Sequence, residues 1–195
     1  MKKIILASKS PRRSELLSQL GIDFKVVTSD ANENIHEKNP GEFVMQLSKR
    51  KADAVLNGND FDMKETIIIG ADTVVVYKGM ILGKPKDVKD AFNMLKMLSA
   101  DVHYVLTGVT LITKDTNSDE DKIIYDTFFE TTTVHTYPMS DSEIYDYIAT
   151  GEPMDKAGSY GIQGLGGRFI KEIEGDYNNV VGLPASKIYQ KIKEM

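Results

Sequence analysis

One aspartate lies between two runs of β-branched residues, and it is the residue best suited to chemistry. The segment 67–76 reads Ile-Ile-Ile-Gly-Ala-Asp-Thr-Val-Val-Val, with Asp72 near its centre. An ionised carboxylate in a buried strand is costly unless it meets a cation or a metal ion. The small residues before it allow a ligand or another backbone to come close. We therefore favour a functional role for Asp72 over a structural role as the cap of a neighbouring loop.

Two adjacent arginines, Arg12 and Arg13, lie in the predicted first turn of a helix that follows a short strand. Cations at a helix start oppose the helix dipole and are unfavourable for the helix itself. The backbone N–H groups of the same turn have no partner within the helix, so an anion such as a phosphate suits the turn. A basic turn that faces only solvent is the alternative, and these residues alone give the two interpretations equal weight.

A single lysine interrupts the apolar face of the next predicted helix, 40–56. That face includes Val44, Leu47 and Val55. On a helical wheel, at about 100° per residue, Lys51 falls in the middle of the face. A charge at this position indicates either a functional cation or a lysine whose stem lines the core while its ammonium reaches water.

An acidic loop at 29–33 offers a second carboxylate, Glu33. Alone, a loop of this kind is typical of plain protein surface. Close to Asp72, Glu33 would supply a second hard oxygen ligand for Mg²⁺ or Mn²⁺. The spacing along the chain does not establish that proximity.

A glycine-rich stretch covers 151–167, with glycines at 151, 158, 161, 164, 166 and 167. Glycines at this density indicate a backbone that bends sharply or lies close to a ligand. The spacing matches neither a P-loop nor a dinucleotide-binding fingerprint. Gln163 carries a neutral donor and a neutral acceptor, which suit it to contact the edge of a nucleobase. A plain surface loop is the alternative that this glycine density disfavours.

Composition excludes several classes of protein. The 195 residues have a net charge of −5, although the first 51 hold ten basic and six acidic side chains. A mildly acidic chain argues against a nucleic-acid binder. The absence of cysteine excludes disulfides and thiolate sites, and three scattered histidines argue against a zinc site or a Ser–His pair. No apolar run approaches the ~18 residues of a membrane span, so we expect a cytoplasmic protein without a membrane partner.

The elements that must position these residues alternate between strands and helices. Their apolar patterns predict an α/β or α+β fold around one mixed sheet, as a single domain over 1–195. The predicted strands are 3–7, 24–27, 66–77, 104–113, 122–136 and 168–173. The predicted helices are 11–20, 40–56, 87–98, 140–150 and 182–194.

Six segments together resemble the Maf family, and they occur in the family's order across nearly the whole chain. They are 7–13, 70–74, 83–85, 152–164, 175–177 and 182–184. The resemblance implies a nucleoside triphosphate pyrophosphatase. It also implies a fold akin to the inosine triphosphatases, with an elongated mixed sheet flanked by helices and a cleft between two lobes.

The sequence Tyr-Gly-Ile-Gln-Gly at 160–164 resembles the branch of this family that hydrolyses dTTP and UTP. The other main branch, which acts on 7-methyl-GTP, has a Glu near this position. Matched by motif, the resemblance implies that Asp72 is the catalytic base. It assigns substrate specificity to Arg12, Thr73 and Gln163.

The implied reaction also assigns the remaining charged residues. Asp72 and Glu33 would hold a divalent cation, Mg²⁺ or Mn²⁺. Further basic side chains would surround the triphosphate; they are Arg13, Lys51, Lys84 and Lys156. Two alternatives stay open, a regulatory binding protein that affects septum formation and a purine housecleaning pyrophosphatase for ITP and XTP. The oligomeric state is also open, a homodimer included.

Overall fold

The computed structural model describes residues 2–28, 30–115 and 122–195. Its strands are β1 Lys3–Ala7, β2 Phe24–Val26, β3 Thr66–Tyr77, β4 Met80–Leu82, β5 Val102–Lys114, β6 Ile123–Thr136 and β7 Ile170–Glu174. Its helices are α1 Pro11–Gln19, α2 Pro40–Asn57, α3 Val88–Leu98, α4 Asp141–Ala149, α5 Tyr177–Val181 and α6 Ala185–Glu194. Short 3₁₀ helices cover Glu152–Asp155, Ala157–Ser159 and Leu165–Phe169.

The strands form one mixed sheet in the order β2-β1-β3-β5-β6-β7, with β4 paired to β3. β1 runs parallel to both β2 and β3, whereas β4 and β7 pair antiparallel with β3 and β6. The predicted mixed sheet flanked by helices is confirmed. The predicted cleft between two lobes stays a prediction.

The chain divides into two compact units. Unit 1 consists of Met1–Asp72, Thr107–Glu130 and Gly182–Met195, and unit 2 of Thr73–Leu106 and Thr131–Val181. By these ranges, β3, β5 and β6 contribute residues to both units. The single domain expected over 1–195 stays a prediction.

In unit 1, two strand glycines allow α2 to pack directly against the sheet. A Cβ on Gly70 would overlap the carbonyl oxygen of Ser48, and one on Gly108 would overlap that of Val44. Ala52 and Val55 of α2 then pack in one buried cluster with sheet residues such as Ile68. The small residues before Asp72 therefore accommodate a neighbouring backbone, one of the two roles that the sequence left open.

In unit 2, α3 and α4 pack together over a separate apolar cluster. Leu95 and Leu98 of α3 and Ile144 and Tyr147 of α4 are almost fully buried in it. The Tyr147 ring meets Phe169 edge to face, with ring centroids 5.5 Å apart. This packing fixes Tyr147 below the glycine-rich stretch.

Most predicted boundaries agree with the structure to within one or two residues. A capping box begins α4, with Ser140 and Glu143 each bonded to the backbone of the other. The predicted last helix, 182–194, differs, because it begins only at Ala185 and the separate short helix α5 precedes it. Ser10 precedes α1 without a side-chain capping bond. Over the described residues, no helix combines the length and the apolar character needed to cross a membrane.

Candidate functional site

Asp72 lies beside the end of β1, because the parallel register pairs Ala7 with Gly70. The residue is buried, with 9% of its surface exposed. Its Oδ1 accepts a hydrogen bond from Lys51 Nζ at 2.6 Å. The predicted buried carboxylate therefore has a cation beside it, as the cost of burying a lone charge requires.

Lys51 joins the two carboxylates that the sequence proposed as a pair. Its Nζ lies 2.9 Å from Glu33 Oε1 as well as 2.6 Å from Asp72 Oδ1. The Lys51 side chain is 20% exposed, whereas that of Glu33 is 64% exposed. Three residues that are well separated in sequence thus meet within unit 1: Glu33, Lys51 and Asp72.

The loop that carries Glu33 is fastened to α2 by Arg50, a residue that the sequence reading missed. Arg50 Nη1 donates to the carbonyl oxygens of Asn32 at 3.1 Å and Asn34 at 2.9 Å. These carbonyls flank Glu33 on both sides. Consecutive residues of α2 therefore hold the backbone of this loop and bind its carboxylate.

Arg13 is buried and points into the protein. Its guanidinium donates to the carbonyl oxygens of Gly182 and Ala71, at 2.8 and 2.9 Å, and to Ser8 Oγ at 3.2 Å. Burial lowers the pKa of Arg13, and the nearby charge of Asp72 opposes that shift. Through its bond to the Ala71 carbonyl, Arg13 contacts the backbone of the residue that precedes Asp72. Its predicted role in binding phosphate stays a prediction.

Arg12, the neighbour of Arg13, is only half-buried in the first turn of α1. Ser10 N–H, just before this turn, donates to Ser8 Oγ at 3.2 Å. The two arginines therefore differ in environment despite their adjacency, since one is enclosed and the other is accessible. The specificity role assigned to Arg12 stays a prediction.

The carboxylates of unit 1 fit a small hard cation. Asp72 and Glu33 oxygens contact the same ammonium, so they converge on one positively charged point. Mg²⁺ is commonly held by one or two carboxylates together with substrate phosphates. Within the described ranges, no cluster of three or more acidic or histidine residues offers a metal cage.

Unit 2 contains the other four predicted site residues. Thr73 is half-buried on β3, and Lys84 is exposed after β4. Lys156 donates to the Glu152 carbonyl at 2.6 Å and lies 2.7 Å from Asp155 Oδ1. Gln163 is exposed in the loop between two 3₁₀ helices.

The loop 161–167 closes around the Glu152 carboxylate. Glu152 accepts the N–H of Leu165 at 2.9 Å and that of Gly166 at 3.2 Å, and the Tyr147 hydroxyl at 2.8 Å. The same hydroxyl accepts the N–H of Gly161 at 3.1 Å. Burial opposes ionisation, but these donors and Lys156 together lower the pKa of Glu152. The sequence reading named Glu152 only as part of a motif, and the glycine density was the signal of a close partner.

A buried histidine lies next to the same stretch. His103 Nε2 is 2.8 Å from the Tyr160 hydroxyl, and both side chains are buried. Burial lowers the pKa of His103 to about 4, an effect that the charge of His135 adds to. His103 is therefore neutral at physiological pH, and its role is to pack beneath Tyr160.

Comparison with known proteins identifies close relatives over the full chain. A dTTP/UTP pyrophosphatase of Thermoanaerobacter sp. (strain X514) is 50% identical, over 98% of this chain and 95% of that protein. A dTTP/UTP pyrophosphatase of Geobacillus sp. (strain WCH70) is 48% identical, over 100% of this chain and 99% of that protein. A dTTP/UTP pyrophosphatase of Agathobacter rectalis is 47% identical, over 100% of this chain and 98% of that protein.

A solved structure, the nucleoside-triphosphatase / dITP/XTP pyrophosphatase of Mycobacterium abscessus, matches with a TM-score of 0.39 at 12% identity. It covers 98% of this chain and 94% of that one. We draw nothing from a likeness at this level. The model of the Maf family, described as Maf-like protein, matches residues 3–195. With that match and relatives of about half identical sequence, the chain belongs to the Maf family.

Proposed function

We propose that this chain is a nucleoside triphosphate pyrophosphatase that hydrolyses dTTP and UTP to the monophosphate and pyrophosphate. The relatives named above carry this activity in their names and align over nearly the full chain. The observation that carries the proposal is the buried Asp72 paired with Lys51 and, through it, with Glu33. The two carboxylates and the cation provide the acceptor and the positive charge that phosphoryl chemistry requires.

In the proposed reaction a water molecule attacks the α-phosphorus. A new phosphorus–oxygen bond forms, and the bond from the α-phosphorus to the oxygen that bridges to the β-phosphorus breaks. Asp72 accepts the proton of the attacking water, and pyrophosphate leaves. β3 and Lys51 hold the Asp72 carboxylate in place. In the proposed reaction it would lie within hydrogen-bond reach of the attacking water, as a general base must.

Asp72 and Glu33 would hold a divalent cation, Mg²⁺ or Mn²⁺. When bound, such a cation supplies Lewis acidity at the phosphate oxygens and favours deprotonation of water. In the structure the Lys51 ammonium takes the position between these carboxylates. A bound cation would displace it towards the phosphates, whose charge it would help to neutralise beside the base.

Positive side chains would bind the triphosphate and stabilise the charge of the transition state. We assign this role to Arg12, Arg13, Lys51, Lys84 and Lys156. Arg13 would act from a buried position, where its contact with the Ala71 carbonyl also supports Asp72. We further assign Thr73 to substrate specificity together with Arg12.

Gln163 would identify the base. Its amide can donate to O4 of uracil or thymine and accept from N3–H of the same ring. Cytosine presents an amino donor and an N3 acceptor at these positions, so its donors and acceptors oppose those of Gln163. A site that hydrogen-bonds one pattern of donors and acceptors rejects the opposite pattern, because polar groups of the site would then be left unpaired.

A nucleotide panel tests the proposal. Pyrophosphate release would be measured for dTTP, UTP, dCTP, ITP, XTP and 7-methyl-GTP, with Mg²⁺, with Mn²⁺ and with a chelator. We expect metal-dependent release from dTTP and UTP above the others. A preference for ITP and XTP would favour the purine housecleaning reaction, and no release from any nucleotide would favour a regulatory binding protein. The cytoplasmic location and a homodimer stay predictions, which fractionation and sedimentation would measure.

A further inference from the structure

Loop 161–167 is attached to one carboxylate at both ends of the segment that contains Gln163. After Gln163, the N–H groups of Leu165 and Gly166 donate directly to Glu152. Before Gln163, the Gly161 N–H donates to the Tyr147 hydroxyl, which in turn donates to Glu152. The backbone of the six residues 161–166 is thereby closed into a ring around a single acidic group.

Two glycines of this loop lie where the ring leaves no room for a side chain. A Cβ on Gly164 would lie 2.5 Å from both carboxylate oxygens of Glu152, and one on Gly166 would lie 2.5 Å from the Tyr147 hydroxyl. Both positions are closer than real Cβ contacts permit. The glycines therefore allow the backbone to approach Glu152 and Tyr147, and the loop conformation depends on that approach.

Tyr147 and Glu152 are themselves fixed. Tyr147 is fully buried on α4 against Phe169. Glu152 begins a 3₁₀ helix, and Lys156, the residue just after that helix, donates to the Glu152 carbonyl at 2.6 Å. The anchor therefore fixes the backbone that carries Gln163, and a functional side chain needs such a support.

We infer that Glu152, with Tyr147, is a positioning residue that fixes loop 161–167 and so sets the discrimination of Gln163 between uracil or thymine and cytosine. This inference rests on the proposed function, because it needs Gln163 to contact the base. Neither Glu152 nor Tyr147 contacts the substrate in it. Their effect passes through the backbone of the loop.

The test uses Glu152→Gln, which keeps the shape and removes the charge. Its amide nitrogen cannot accept the N–H of Leu165 or Gly166, so at least one of these donors loses its partner. The measured quantity is the ratio of kcat/KM for dTTP to that for dCTP. We expect it to fall about tenfold, since small misplacements of a binding group cost this much or more. A variant that merely folded less well would lower both values equally and leave the ratio unchanged.

Three further variants complete the experiment. Glu172→Gln changes an exposed glutamate of unit 2 and should leave the ratio unchanged. Tyr147→Phe removes only the hydroxyl and should lower the ratio. If Glu152→Gln does not fold, the ratio measured for Tyr147→Phe tests the inference in its place. In a Gln163→Ala background, Glu152→Gln should cause no further loss of the ratio, because the residue it positions is gone.

Amide hydrogen exchange reports on the loop independently of catalysis. Glu152→Gln should speed exchange in 161–167 and leave the rest of unit 2 protected. An unchanged ratio in Glu152→Gln and Tyr147→Phe would overturn the inference, as would an equal loss with and without Gln163. If the wild type hydrolyses neither dTTP nor UTP, the proposed function falls, and the exchange experiment still decides whether Glu152 holds the loop.

Discussion

Unit 1 places Asp72 and Lys51 on regular elements, whereas unit 2 places Gln163 in a loop between two short 3₁₀ helices. In unit 1, Lys51 and Asp72 meet because α2 and β3 approach closely at Gly70. In unit 2, Gln163 depends on backbone hydrogen bonds to the single Glu152 carboxylate. Ion pairs between side chains hold the candidate residues of unit 1 together. In unit 2, backbone N–H groups that donate to Glu152 hold the loop that carries Gln163.

The difference indicates how each region should respond to substitution. A regular element is stabilised by many apolar contacts, so removing one charge from it leaves the element folded. A loop with few apolar contacts depends on its individual hydrogen bonds, so one lost acceptor changes its conformation. Substitutions in unit 1 should therefore separate activity from folding, and substitutions in unit 2 should link loop order to selectivity.

The largest expected effect is that of Asp72→Asn on catalysis. The variant keeps the size of the side chain and an oxygen for Lys51, but the amide is a poor proton acceptor. We expect pyrophosphate release from dTTP to fall by on the order of 1000-fold while thermal unfolding stays cooperative. Full activity would show that Asp72 is not the base, and an unfolded variant would show that unit 1 depends on this charge for its fold.

The second prediction concerns the pH dependence of folding through His103 in unit 2. The pKa of His103 is lowered from 6.5 to about 4. Between these two pH values the histidine is protonated in the unfolded chain and neutral in the folded chain. Stability that is complete above pH 6.5 should fall as the pH decreases towards about 4, by about 3 kcal/mol in total. Urea unfolding across this range measures it. His103→Gln should flatten the profile, and the exposed His36→Gln is the control that should not.

Two glycine substitutions compare the units directly. Gly70→Ala would push against the backbone of α2 and should destabilise the protein by about 2 kcal/mol. Gly164→Ala would push against the Glu152 side chain and should lower dTTP selectivity with a smaller change in unfolding free energy. Gly83→Ala, where an added Cβ meets nothing within 4 Å, is the control. Equal losses of unfolding free energy in Gly70→Ala and Gly164→Ala would contradict the expectation that unit 1 responds through stability and unit 2 through selectivity.

The smallest effect is expected from Arg50→Gln. Loss of the two bonds to the carbonyls of Asn32 and Asn34 should free the loop that carries Glu33, without removing a charged contact of the proposed substrate. We expect about a tenfold higher Mg²⁺ concentration for half-maximal activity and an unchanged rate at saturation. Lys49→Gln, on the same helix, is the matched control. No change in the metal titration would mean that Glu33 needs no support from α2.

The regular elements of both units follow from local patterns. The two apolar runs around Asp72 predicted β3, and the apolar face with one lysine predicted α2. Asn39 and Asp87 precede helices as side-chain caps because their oxygens satisfy the first free N–H groups. α5 escaped prediction because five residues are too few to show a helical period.

The candidate site could be predicted only in part. Residue type and position indicated Asp72 and Lys51, but their contact depends on how α2 packs, which no local pattern contains. Helical spacing puts Arg13 rather than Arg12 in line with Leu16 and Leu17 on the apolar face of α1, but it does not reveal which groups a buried guanidinium would meet. Arg13 is buried because its partners include the carbonyl of Gly182, 169 residues away in sequence. Glu152 stood out only as part of the segment 152–164, because the N–H groups that bind its carboxylate belong to residues later in the chain.

The closed ring of loop 161–167 also has a thermodynamic consequence for ligand binding. Fixing the backbone of one residue costs about 1–2 kcal/mol of conformational entropy. In this loop the bonds to Glu152 and Tyr147 impose that cost as part of the fold itself. Under the proposed function, a nucleotide that reaches Gln163 would meet a preorganised partner, and its binding energy would be available for discriminating between bases.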